Sequence, residues 1–159
     1  MQLEKQRRRT GTALVLAQFG LILMCLLPVG PVIGSGELRP LGLVCLALAA
    51  LVGGLALAAM GSDTRVHPVP DSTATLRTNG IYAWIRHPMY AAVLLACLSV
   101  VLSTGRVLAV VAFGALVVVL RAKARFEDRL LGEKFGAPYA DYAARVPALI
   151  PRLRRSAGR

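Results

Sequence analysis

Residues 89–120 read MYAAVLLACLSVVLSTGRVLAVVAFGALVVVL. One helix of that length would measure roughly 48 Å, against a hydrocarbon core of about 30 Å. Ser103-Thr104-Gly105-Arg106 interrupts the run with turn chemistry and a charge. The reading is therefore two short helices, 88–102 and 107–120, folded as a tight hairpin. The second continues as a polar helix past Arg121, Arg125 and Arg129. Short spans are accommodated by local thinning of the bilayer or by helix ends that enter its interface. Working outward, residues 12–33 and 40–60 carry no charged side chain, and each is long enough to cross. The expectation is a single all-α membrane domain with four transmembrane helices.

Composition agrees with this. Of 159 residues 56% are hydrophobic, above the 45–50% usual for soluble domains and incompatible with a disordered chain. Cys25, Cys45 and Cys97 are far apart and each lies inside an apolar block. They form neither a disulfide framework nor a CxxC metal pattern, so they read as small packing residues, and no metal centre is expected.

The net charge of +11 is distributed unevenly. Every Lys and Arg except Arg39 and Arg106 lies in the N-terminal tail, in the loop 61–87, or after residue 120. Four spans with both termini in the cytoplasm satisfy this bias, and the expected location is a bacterial inner membrane. The charge then reads as topology and contact with anionic lipids. Nucleic-acid binding is not expected, since no aromatic-interleaved basic patch is present. The first block also has signal-peptide features, a basic start and small residues Gly34-Ser35-Gly36 near its end. Its apolar run is longer than a usual signal core and lacks an A-x-A site, so a retained span is expected.

Two polar segments flank the hairpin. In the first, His67-Pro68-Val69-Pro70 is stiff and extended, and Asn79-Gly80 signals a turn. Tyr82, Trp84, Arg86, His87, Pro88 and Tyr90 then run directly into the third span. Pro88 suits the first turn of a helix, which puts Arg86 and His87 at an anion-favouring helix N-terminus. In the second segment, 121–151, Glu127-Asp128 are the only adjacent acids. Phe135-Gly136 reads as a helix stop, and Pro138 restarts a short helix bearing Tyr139 and Tyr142, which Val146-Pro147 ends. Taken singly, Arg86 is a positive-inside charge, Trp84 and Tyr90 an aromatic belt, His87 a loop residue, and Glu127-Asp128 part of a solvated helix face. Their clustering beside two prolines and a turn points to a site.

Asn79-Gly80-Ile81-Tyr82 followed by Arg86-His87-Pro88-Met89-Tyr90 resembles the signature of the isoprenylcysteine carboxyl methyltransferase and phospholipid methyltransferase superfamily. Glu127-Asp128, Leu131, Phe135-Gly136, Tyr139, Tyr142, Val146-Pro147 and Ile150-Pro151 continue the resemblance in order, over roughly residues 60–151. Where that pattern usually has two Glu, this chain has Glu127-Asp128.

The resemblance implies an integral-membrane, carboxyl O-methyltransferase-like enzyme using S-adenosylmethionine. The cofactor would be enclosed at the cytoplasmic face by the two polar segments and the hairpin. Arg86, His87 and Glu127 are the expected catalytic residues, with Tyr82, Arg86, His87, Pro88, Tyr90, Glu127 and Asp128 around the cofactor. An Arg fork suits the cofactor's carboxylate, an acid its ammonium or ribose, and an aromatic face its sulfonium. The expected acceptor is lipophilic or membrane-delivered, either isoprenylcysteine-carboxylate-like or lipid-like. No Rossmann fingerprint is present. Two alternatives stay open at this point: an NADPH-dependent reductase of the sterol-reductase type, and a non-enzymatic membrane scaffold subunit.

Overall fold

The computed structural model describes residues 2–34, 36–60 and 76–151. His67-Pro68-Val69-Pro70 and the basic tail after Pro151 lie outside the described residues. Helices follow in the order α1 (Gln2–Leu26), α2 (Arg39–Met60), a 3₁₀ turn (Gly80–Ala83), α3 (Pro88–Thr104), α4 (Val107–Phe135) and α5 (Ala137–Arg145). Among the described residues no strand forms, and one isolated antiparallel bridge joins Val32 and Arg106.

The hairpin turns where its sequence predicts. Gly105 closes α3 in the left-handed region at φ 58°, its N–H donating to the Val101 carbonyl over 2.9 Å. A Cβ there would stand 2.9 Å from the Gly34 nitrogen, so this position needs glycine twice over. Beyond the turn, α4 runs unbroken for 29 residues and carries Glu127 and Asp128 on its polar extension. Gly136, at φ 60°, separates it from α5.

The first span differs from expectation. The predicted 12–33 helix starts ten residues earlier, at Gln2, and stops at Leu26. Nothing in the basic tail breaks a helix, whereas Pro28, Gly30 and Pro31 end one. Residues 30–33 instead lie across the α3–α4 turn, with Ile33 N–H on the Gly105 carbonyl (2.8 Å) and Val107 N–H on the Pro31 carbonyl (3.0 Å). Among the described residues three helices, α1, α2 and α4, are long and apolar enough to cross a membrane. With 17 residues, α3 rises about 25 Å and is shorter than a usual crossing.

Helix α2 packs along α3, and α1 along α4, while α3 also meets α4. Cys25, Cys97, Ala109, Ala112, Leu116 and Leu120 form the buried core where α1, α3 and α4 meet. All three cysteines are free and buried, as packing residues should be. The outer faces of α1 and α2 expose Leu16, Leu23, Leu43 and Leu51, which suits contact with lipid chains.

Candidate functional site

The residues before α3 are fixed by backbone first. Gly80 opens the 3₁₀ turn at φ 57°. His87 stands at the N-cap of α3, and Pro88 occupies its first turn, fully buried. The Arg86 and His87 N–H groups donate to the carbonyls of Pro147 and Ala148, each over 2.9 Å. The segment after α5 therefore straps down the residues that carry the side chains of interest. A further tie joins α5 to the 3₁₀ turn, the Tyr142 hydroxyl donating to the Tyr82 carbonyl over 2.7 Å.

Into this frame α4 brings two carboxylates. Asp128 Oδ1 accepts from His87 Nε2 at 2.7 Å and from the Tyr139 hydroxyl. Its other oxygen lies 3.3 Å from Arg86 Nη2. Glu127 Oε2 accepts from the Tyr90 hydroxyl at 2.8 Å and lies 3.5 Å from His87 Nδ1. Tyr90 stacks on the imidazole, its ring 6° from parallel and 5.3 Å between centroids.

Both nitrogens of a buried imidazole thus face carboxylates. Burial works against the charged form, but hydrogen bonds and charge from Asp128 and Glu127 outweigh it, and the pKa of His87 is pushed up to about 9. Reciprocally, burial tends to raise the Asp128 carboxyl, yet His87, Tyr139 and Arg86 hold it below its ordinary value. Burial also raises the Tyr82 and Tyr139 hydroxyls, helped by Glu127 and Asp128 respectively. The imidazole therefore favours its charged form where it stands, between Glu127 and Asp128.

Of the sequence-predicted residues, the structure brings Arg86, His87, Tyr90, Glu127 and Asp128 into one cluster, with Tyr82 joined through its backbone and Pro88 inside the helix start. Trp84 stands apart and is exposed. Two participants went unrecognised in the sequence. Lys123, 1% exposed, lies with its ammonium 4.9 Å from the Tyr90 ring centroid, and it donates to Gln18 Oε1 on α1 over 2.6 Å. A lone amide in an otherwise apolar span, and a Lys one turn before Glu127, were the available signals.

Beside the cluster, an apolar cleft of about 810 Å³ runs between α2, α3, α4 and residues 147–151. Leu48, Leu94, Leu98 and Phe113 line it, and it reaches Arg121, Arg125 and Asp128.

Residues 38–138 match the phospholipid methyltransferase family, well over half of the chain and all of α2, α3 and α4. The chain belongs to that family. It is 39% identical over 83 residues to methanethiol S-methyltransferase 2 of Bradyrhizobium diazoefficiens, covering 52% of this chain and 31% of that protein. To the cobalt-zinc-cadmium resistance protein CzcN of Cupriavidus metallidurans it is 44% identical over 81 residues, covering 50% of this chain and 37% of that one. The chain thus spans about a third of the length of these curated relatives. The matched residues include Arg86–Tyr90 and both acids of α4, while α1, Tyr139, Tyr142 and the strap lie outside them.

Proposed function

We propose that the chain transfers a methyl group from S-adenosylmethionine to a lipophilic acceptor in the membrane, and that Arg86, His87, Tyr90 and Glu127 hold the donor. The observation that carries this reading is the unfinished bonding of a closed polar cluster. Arg86 pairs with Asp128 through Nη2, yet its Nε is buried with no hydrogen-bond partner among the described residues. Buried donors are rarely left so, and a ligand carboxylate meets that need with a charge-assisted bond. Glu127 offers the matching acceptor for an ammonium or a ribose hydroxyl. S-adenosylmethionine, when bound, supplies a methyl group already activated by its sulfonium.

The protein's share is alignment, which supplies several kcal/mol of a displacement barrier, on the order of 7 for well-oriented groups. His87 is poorly suited to serve as a base, because its pKa is raised to about 9 and its Nε2 is bonded to Asp128. The acceptor therefore arrives already anionic or readily so, a carboxylate before an amine. A relative named for methanethiol S-methylation keeps a thiol acceptor beside the carboxylate. The apolar cleft, reaching Asp128 at its polar end, suits the acceptor's hydrocarbon portion. An inner-membrane location with both termini cytoplasmic fits the basic bias. It also fits the Arg7–Glu133 contact (2.7 Å), which puts the start of α1 beside the polar end of α4. The family match favours neither the reductase nor the scaffold alternative.

The test is calorimetric titration of the full chain in nanodiscs with S-adenosylmethionine and, separately, NADPH. Binding of the first alone is expected, and His87→Ala and Glu127→Ala should weaken it. Equal affinity in both variants would remove this site assignment.

A further inference from the structure

We propose that the Gln18–Lys123 pair positions the donor-holding side chains, so that α1, which lies outside the family match, sets the order of the site. Both residues are buried, Gln18 at 6% and Lys123 at 1% exposure. A buried ammonium is costly unless its bonds are met. Here Gln18 Oε1 accepts from Nζ at 2.6 Å, and the Tyr90 ring lies beneath it at 4.9 Å. The same ring stacks on His87, and its hydroxyl holds Glu127 at 2.8 Å. A chain of contacts therefore runs from α1 through Gln18, Lys123 and Tyr90 to His87 and Glu127, linking three helices.

The electrostatics explain why the arrangement is ordered. The face of a phenol ring attracts cations, and Tyr90 has one on Lys123 and another in the His87 imidazolium. Holding the ammonium at a fixed height by the Gln18 carbonyl fixes the tilt of that ring. Ring tilt in turn fixes the hydroxyl that carries Glu127. Glu127, one helical turn along the same helix, also acts on this ammonium through its charge, so Gln18 sets how the ammonium is divided between the two. Lys123 and Gln18 are thus positioning residues: neither touches the donor in this account.

The proposal rests on the donor-holding reading only for its second readout. The first is the imidazole resonance of His87 in histidine-selective ¹³C-labelled protein in nanodiscs, assigned by its loss in His87→Gln. Stacking on Tyr90 displaces this signal upfield. Lys123→Met and Gln18→Leu should lose most of that displacement, and Lys123→Arg should retain it. The second readout is S-adenosylmethionine affinity, expected to fall roughly two- to thirtyfold in Lys123→Met, the span of couplings carried through packed networks. An unchanged His87 signal in a folded Lys123→Met, or in Gln18→Leu should the former fail to fold, overturns the proposal. If the parent binds no S-adenosylmethionine while the resonance still follows Lys123, the functional reading fails and the positioning role stands.

Discussion

The seams α2–α3 and α1–α4 hold by different means. Along α2–α3 the contact is steric. Gly42, Cys45 and Ala49 of α2 are buried there with Ala92 and Ser99 of α3, and a Cβ on Gly42 would come 2.9 Å from the Ser99 carbonyl. Small residues let helix backbones approach closely in a medium that offers no hydrophobic drive between helices. Along α1–α4 the apolar part, around Cys25 and Ala109, gives way toward the polar end to Gln18–Lys123 and then Arg7–Glu133. The first seam carries shape and leaves the site's charges alone. The second connects directly to them through Tyr90.

If that contrast is right, the largest losses come from the charged cluster, and the seams follow. Asp128→Ala strips the acceptor from His87, Tyr139 and Arg86 at once. Removing one partner of a buried ion pair costs about 3 kcal/mol or more, readable as earlier unfolding in mixed SDS micelles; a change below 1 kcal/mol would show the cluster to be solvated. The pH dependence of stability should come next. His87 has a folded pKa of about 9 against an ordinary 6.5. Its contribution is therefore complete below 6.5 and is lost as pH rises through 9. Thermal unfolding followed by circular dichroism should show stability falling across that window, with the fall absent in His87→Gln.

Gly42→Val tests the steric seam. Overpacking should destabilise by about 1–3 kcal/mol while leaving the His87 resonance in place, because among the described residues no hydrogen bond ties that seam to the Tyr90 side chain. A moved resonance would merge the two seams into one. The smallest effect belongs to Arg7→Ala at the half-exposed end of α1–α4, where an ion pair contributes under about 0.5 kcal/mol. A larger loss there would mean the polar tie extends along the whole seam.

Local chemistry was legible in the sequence wherever one residue type forces one outcome. Gly105 and Gly136 marked turns, Pro88 marked a helix start, and Tyr90, His87 and the two acids marked a cluster, all because glycine, proline and ionisable groups have few alternatives. The ends of α1 follow helix breakers and not the absence of charge. Lys5 to Arg9 do not disfavour a helix, whereas Pro28 and Pro31 do. The strap from Pro147 and Ala148 could not be read at all, since any residue supplies a carbonyl. Gln18 and Lys123 meet across 105 positions of sequence, a pairing that only the packing of α1 on α4 defines.

The central claim is that the polar cluster holds a methyl donor beside an apolar cleft that receives the acceptor. Incubating inner-membrane vesicles containing the chain with methyl-labelled S-adenosylmethionine tests it most directly. Label is expected in the organic-extractable fraction, reduced in His87→Ala and Glu127→Ala membranes with matched protein levels. Label confined to the water-soluble fraction, or organic label undiminished in both variants, would contradict it.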